Sequence, residues 1–285
     1  MSKLIEKGLE KIGVSEKPIQ IKFYSQSCFP LYKISFQNKN PILVKIVSPV
    51  LMGEVEFNSI QFLKDKKIPV PNLFGLFSED DYSLLFMEFI DTINHNQKFL
   101  KDTLLKLYSI ENNQFGFYED NFIGSLLQKN SFYFDFFSYF WESRLETQLK
   151  ISLENKLLDF QFAYKIEKLF TKLCSLWNLN SFTPRLIHGD LWSGNILFSS
   201  NKCYLIDPSL SFGNLEQDLS MLELFGSPLD LNTRTEILSI WKQEIDFKER
   251  IPFWQIYPLL VHVNLFGGSY ISELYSKFSF YNRYL

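Results

Sequence analysis

An α+β fold in two lobes, one small and β-rich, the other larger and mostly helical, is what this 285-residue sequence predicts. Three observations carry the prediction. Runs with a period of two, broken by Pro, Asn and acidic turns, fill the first 90 residues. Helical periodicity dominates from Gln97 onward. Apolar content of 46% is that of an ordinary globular chain, and no repeat or low-complexity linker interrupts it. The lobes are assigned as residues 1–90 and 91–285, meeting where the apolar run LLFMEFI turns polar at Asp91.

Composition narrows the function classes. A net charge of −3 without a Lys/Arg block disfavours nucleic acid as the main partner. Cys28, Cys174 and Cys203 are scattered, which points to a reducing compartment and against a disulfide framework or a zinc site. The opening MSKLIEKGLEKIG reads as an amphipathic helix carrying acids, not a signal peptide. No apolar run reaches the ~18 residues that span a bilayer. The expectation is a cytoplasmic protein, monomeric or weakly dimeric, with no membrane partner. The 30 Phe residues are assigned mainly to core packing.

In chain order, strands are expected at Ile19–Tyr24 and Leu31–Phe36 around the tight segment 25–30. A third is expected at ILVKIV after Pro41. In that third strand Ile42, Val44 and Ile46 share one face; Leu43, Lys45 and Val47 share the other. Lys45 is a lone cation on a strand apolar on both sides. Taken alone it could be an edge lysine snorkelling to water, but if buried it needs an anion. The next helix, Met52–Lys66, offers one, because Met52, Glu56, Ile60 and Leu63 form a single stripe. Glu56 is favoured over Glu54, which shares a wetter face with Gln61 and Asp65. Pro69 and Pro71 end the helix, and strands Asn72–Phe77 and Ser83–Phe89 follow around the turn Glu79-Asp80-Asp81.

The second lobe is expected to hold helices at Gln97–Ile110, Phe132–Lys150, Asp159–Trp177, Asp230–Phe247 and Phe253–Phe280. Gly267-Gly268 would kink the last one, and Asn112–Asn130 reads as loop-rich. The aromatic run FYFDFFSYFW is assigned to core packing. Asn214 and Gln217 form a capping pattern for a helix to Phe225. Asp218 sits in its first turn, either serving the helix dipole or bracing the loop around Asp190 through backbone amides.

That loop carries the chemistry. HGDLWSGNILFSSNKCYLID, residues 188–207, places Asp190, Asn195 and Asp207 around a short apolar hairpin whose turn is Ser199–Lys202. The spacing H-x-D-x4-N, with an Asp twelve residues beyond the Asn, suits phosphoryl transfer. One carboxylate takes the proton of an attacking hydroxyl, while the Asn and second Asp hold magnesium. Asp190 and Asn195 as mere turn formers would leave Asp207, at the end of an apolar strand, unexplained. A strand Lys paired with a helix Glu, here Lys45 and Glu56, is the arrangement that holds the α- and β-phosphates of ATP. The backbone of Glu88, Phe89 and Ile90, where the lobes meet, is the candidate for bonding adenine. Nothing in those side chains themselves demands it.

At HGDLWSGN the chain resembles the fructosamine kinase (ketosamine 3-kinase) family. The resemblance extends to FGFYEDNFIGSLLQKN, FFSYFWESRLETQL and DPSLSFGNLEQDLSMLELFG. It implies a protein-kinase-like fold, shared with aminoglycoside phosphotransferases. It implies ATP and Mg2+ as cofactors, and as substrate a small-molecule or protein-bound ketosamine phosphorylated on its sugar 3-hydroxyl, a deglycation step. Residue by residue, Asp190 is similar to the family's proton acceptor, Asn195 and Asp207 to its metal ligands, and Lys45 and Glu56 to its phosphate-binding pair. Glu88 to Ile90 fall on its adenine hinge.

Two departures stand out. Ser25-Gln26-Ser27 replaces a Gly-Gly-Ser type turn over the nucleotide, so phosphate contacts would come from the Ser25 and Ser27 hydroxyls and the turn would be stiffer. Cys28 in that turn is read as packed rather than redox-active. Asn214 stands where the family often has His, and nothing follows from it. Trp192 occupies the place where protein kinases put a Lys two residues after the catalytic Asp, and offers a flat surface on which a sugar ring could stack. Two other readings remain open: a kinase of the same fold acting on an aminoglycoside, choline or amino alcohol, and a nucleotide-binding module without catalysis.

Overall fold

The computed structural model describes residues 1–26 and 28–284. Its elements fall into two compact units, residues 1–99 with 195–208, and residues 100–194 with 209–285.

The first unit opens with helix α1 (Ser2–Lys11) and then strands β1 (Gln20–Gln26), β2 (Pro30–Ser35) and β3 (Ile42–Val47). Helix α2 (Val50–Asp65) and strands β4 (Leu73–Glu79) and β5 (Tyr82–Glu88) follow. The strands form one antiparallel sheet in the order β1-β2-β3-β5-β4. The alternation expected of ILVKIV holds: Ile42, Val44 and Ile46 join a core with Leu84, Phe86 and, from α1, Ile5 and Leu9. Full burial of one such aliphatic chain is worth roughly 1.5–3 kcal/mol, which explains why α1 is part of this unit. Lys45 and Val47 lie on the opposite face, toward α2.

The second unit holds helix α3 (Gln97–Tyr108), the short strands β6 (Phe115–Gly116), β7 (Asn121–Ile123), β8 (Leu126–Gln128) and β9 (Phe132–Tyr133), then α4 (Phe136–Phe140). A π-helical turn at Trp141–Leu145 joins α4 to α5 (Glu146–Glu154), and α6 (Phe160–Leu176) follows. Strand β10 (Arg185–Ile187) leads into the loop at His188. The chain then crosses to the first unit for the hairpin β11 (Ile196–Phe198) and β12 (Cys203–Leu205). It returns through β13 (Ser211–Gly213) and helices α7 (Leu215–Leu224), α8 (Leu231–Ile240), α9 (Phe247–Phe266) and α10 (Ser269–Ser279). The aromatic run does pack the core: Phe136, Tyr139 and Phe140 are buried against Phe170, Phe253 and Trp254.

Four expected elements differ. The stretch 112–130 contains paired strands, because Asn121 and Gln128 bond each other and the backbone rather than water. The helix expected from Phe132 starts at Phe136, since the Asp135 side chain caps it by accepting from Ser138 N–H at 2.8 Å. The helix expected to reach Phe247 ends at Ile240, with Asp230 as its N-cap. The last helix begins at Phe247, tolerating Pro252 and Pro258 inside it, and Gly267 and Gly268 split it in two rather than kinking it. Both glycines have positive φ, 60° and 53°, which a helix cannot continue through.

Candidate active site

In the first unit, β3 aims Lys45 at α2 and α2 returns Glu56. The Lys45 ammonium donates to both Glu56 oxygens, at 2.9 and 2.8 Å, and to Asp207 Oδ1 at 2.9 Å. Glu54 is exposed, so the helical stripe chose correctly. The Lys45 and Glu56 side chains are only 7% and 12% exposed, whereas that of Asp207 is 34% exposed. Burial works against the charge on Lys45, but Asp207 and Glu56 outweigh it and hold the ammonium above the ordinary lysine value. Burial pushes the Glu56 carboxyl up to about 7, with Lys45 pulling the other way.

Asp207 closes the hairpin begun at Asn195. Ile206 N–H donates to the Asn195 carbonyl at 3.1 Å, so the two residues lie at the same end of β11–β12. Asn195 is buried, and Asp207 sits at φ 53°, in the left-handed region that Asp tolerates better than most residues. One carboxylate and one amide oxygen are a hard-oxygen donor set. That suits Mg2+, which takes few protein ligands and completes its shell with phosphate oxygens and water. No cluster of three or more His, Cys, Asp or Glu that could hold a metal occurs among the described residues.

At the end of β5 the ladder stops at Glu88, which pairs with Ile42. The Glu88 N–H donates to the Asn72 carbonyl at 2.8 Å, and its carboxylate accepts from Asn72 N–H and Nδ2. Of the three residues expected to meet adenine, Glu88 thus has its N–H committed, and Phe89 and Ile90 lie beyond the ladder. The Phe89 ring is fixed by Lys33 Nζ, 3.7 Å from its centroid, and by the edge of Tyr24 at 5.3 Å. Ser25 lies opposite Leu31, just past a bulge and one residue before the end of β1. Ser27 lies outside the described residues. Phe29, in the same turn, faces the Lys45 ammonium at 5.7 Å.

In the second unit the loop after β10 is clamped from α7. Asp218 accepts from His188 N–H at 2.8 Å and Gly189 N–H at 2.9 Å. Of the two roles open for Asp218, the structure selects the loop brace; Asn214 and Gln217 complete the capping box by themselves. Burial pushes the Asp218 carboxyl up to about 7 against the pull of those two amides. The buried Tyr108 hydroxyl lies alongside and also works against that rise. Gly189 is obligatory: φ is 82°, and a Cβ there would sit 1.9 Å from the Ser209 carbonyl oxygen. The His188 ring accepts the Asp190 N–H at its Nδ1, 3.3 Å away, which fixes the backbone at Asp190 and places the ring proton on Nε2.

Trp192 is 38% exposed. Its ring lies across Gly194, where a Cβ would come within 2.2 Å of it, and its other neighbour is the edge of Phe225 at 6.5 Å. The second glycine of HGDLWSGN, Gly194, therefore makes room for the tryptophan, a pairing the sequence reading missed although both residues stood in the motif.

A buried Lys–Glu pair joined to the Asp of an Asn/Asp hairpin in the first unit, and a clamped loop bearing Asp190 in the second, are the features expected of a protein-kinase-like fold. Solved structures bear this out at the level of the fold. An ADP-bound aminoglycoside phosphotransferase covers 97% of both chains at TM-score 0.64 and 16% identity. A Thermobifida fusca protein assigned as a fructosamine-3-kinase covers 98% of both at TM-score 0.86 and 26% identity.

The fructosamine kinase sequence family matches residues 32–279, and the chain belongs to that family. An Enterococcus faecium protein assigned as a ketoamine kinase is 36% identical over 212 residues, 73% of this chain and 75% of its own length. The chloroplast protein-ribulosamine 3-kinase of Arabidopsis thaliana is 31% identical over 208 residues, 71% of this chain and 63% of its own length. The chain is thus an ATP-dependent kinase of ketosamines. No helix among the described residues is long and apolar enough to cross a membrane.

Proposed function

We propose that the enzyme transfers the γ-phosphoryl group of ATP to the 3-hydroxyl of a ketosamine, with Mg2+ as cofactor. Residues 1–90 would bind the nucleotide, and residues 91–285 would carry the catalytic loop and sugar site. The observation that carries the reading is the Lys45 ammonium held by Glu56 and Asp207. A cation fixed this firmly beside the carboxylate of the Asn195–Asp207 hairpin is built to receive phosphate oxygens. Asn195 and Asp207 would hold Mg2+, which neutralises charge on the β- and γ-phosphates when bound.

Asp190 acts as the proton acceptor. Its carboxylate takes the hydroxyl proton as the sugar oxygen bonds to the γ-phosphorus, and the bond from that phosphorus to the bridging oxygen breaks to release ADP. Lys45 orients the α- and β-phosphates, with Glu56 fixing its direction. Phe89 and Ile90 offer backbone groups to adenine, with Glu88 anchoring the strand end. Ser25 and Ser27 supply hydroxyls to the phosphates. Trp192 stacks on the sugar ring, a role its partial exposure supports. A cytoplasmic location and a monomer or weak dimer belong to the same proposal.

Turnover with ATP and Mg2+ is to be measured on ribulosamines, erythrulosamines and fructosamines, with phosphorus NMR locating the ester. Phosphorylation at the 3-hydroxyl is expected. A Trp192→Ala variant should raise KM for the ketosamine and leave KM for ATP nearly unchanged. Turnover confined to non-ketosamine alcohols would overturn the substrate assignment, and equal effects on the two KM values would overturn the stacking role.

A further inference from the structure

Trp192 does not end the aromatic surface of its unit; it begins one. The Trp192 ring meets Phe225 at 6.5 Å, Phe225 meets His262 at 4.7 Å, and His262 meets Phe266 at 5.6 Å and Tyr270 at 4.9 Å. Phe266 and Tyr270 lie 5.9 Å apart, across the break between α9 and α10. The Gly267-Gly268 turn makes this possible. It stops α9 immediately after Phe266 and starts α10 so that Tyr270 N–H bonds back to the Gly267 carbonyl.

A row of rings is usually a core, but this one is open to water. Phe266 is 61% exposed and Trp192 38%, and Phe225, His262 and Tyr270 are half-buried. Aromatic side chains left this exposed in a continuous row mark a ligand surface more often than a packing accident. His262 donates from Nδ1 to the Pro258 carbonyl at 2.7 Å, which fixes the ring in the row, and burial holds it below its ordinary value.

We propose that the shelf formed by Phe225, Phe266 and Tyr270 is a subsite for the amine portion of the substrate, selecting ketosamines whose amine bears an aromatic or other apolar group. The inference rests on the ketosamine kinase reading and on Trp192 stacking against the sugar. In a ketosamine the amine nitrogen is attached at C1, two carbons from the 3-hydroxyl, so a sugar on Trp192 sends its amine substituent off one edge of that ring. The neighbouring surface at that ring is Phe225, and the shelf continues from there. The nitrogen is a secondary ammonium at neutral pH, which aromatic faces attract. An apolar substituent would cover the exposed faces of Phe266 and Tyr270 and remove both surfaces from water.

The test compares two ribulosamines, one made from methylamine and one from phenylethylamine. Binding is read by calorimetry and turnover by ADP release, for the parent enzyme, Phe266→Ser, Tyr270→Ser and, away from the shelf, Phe160→Ser. The parent should bind the phenylethylamine compound about tenfold more tightly, the scale of discrimination an apolar pocket provides. Either shelf variant should bring that ratio down toward one, while Phe160→Ser, changed at a residue 75% exposed on α6, should keep it. A parent ratio near one, or a ratio that survives both shelf variants, overturns the subsite. The two readings fail separately: binding with the expected ratio but no turnover contradicts the kinase activity, and turnover without a ratio contradicts the shelf alone.

Discussion

Replacing Lys45 by Met keeps the length and apolar stem of the side chain and removes only the charge. What it leaves behind is a Glu56 carboxylate whose side chain is 12% exposed and whose Lys45 partner is gone. Breaking a buried pair by removing one member costs about 3–5 kcal/mol, because the other charge stays desolvated. Here part of that penalty can be escaped by protonation. Burial already pushes Glu56 up to about 7 with the ammonium in place, and without it the carboxyl rises further. The folded state of the variant then binds a proton that the unfolded chain, with an ordinary carboxyl, does not. Stability of the variant therefore falls as pH rises through the neutral range, by up to about 1.4 kcal/mol per pH unit.

Urea unfolding at pH 6, 7 and 8 reads this directly. The destabilisation of Lys45→Met relative to the parent should be larger at pH 8 than at pH 6, and adding Glu56→Leu should recover much of it. A loss below about 1 kcal/mol at pH 8, or one independent of pH, would refute the reasoning that Lys45 neutralises a buried carboxylate.

Further perturbations test the clamp and the core. Asp218→Asn keeps one acceptor but turns an NH2 group toward the second amide, so kcat should fall by about 10²-fold through displacement of the loop. Because the folded Asp218 carboxyl titrates near 7, above its ordinary value, its burial costs stability that grows as pH rises from about 4 to 7. The stability of parent minus variant should fall over that window and level off above it, and a flat difference would contradict the assignment. Gly189→Ala, strained by φ 82° and by the Ser209 carbonyl, should abolish activity and lower the unfolding midpoint, as measured by thermal melting with an activity assay. In the helical core Arg250 grips Glu216 through two hydrogen bonds of 2.8 and 2.7 Å, and Trp254 Nε1 donates to the same carboxylate at 2.7 Å. Arg250→Met should cost about 3–5 kcal/mol in urea unfolding, and Arg250→Met with Glu216→Leu much less.

The local half of this structure was legible in the sequence and the long-range half was not. Period two in ILVKIV and the stripe through Met52, Glu56 and Ile60 were enough to pair Lys45 with Glu56, because each is a property of one element. That Asp207, 162 residues away in sequence, takes the same ammonium follows only from how the hairpin sits against the sheet. Asp218 illustrates the same limit. Its place in the first turn of α7 was readable, but its two bonds to His188 and Gly189 depend on α7 packing against β10. The helix boundaries missed at 132–136 and 240–253 were decided by an Asp135 cap and by packing strong enough to carry Pro252 and Pro258 inside α9. Trp192 and Gly194 stood two residues apart in the motif, yet only the folded loop shows that one makes room for the other.

The central claim is that Asp190 accepts the proton of a ketosamine hydroxyl. Single-turnover phosphorylation of a ribulosamine by Asp190→Asn, with ATP affinity measured on the same sample, tests it most directly. The phosphoryl-transfer rate should fall by about 10²–10⁴-fold, with nucleotide binding and the unfolding midpoint close to those of the parent. Transfer at the parent's rate by the Asn variant would contradict it.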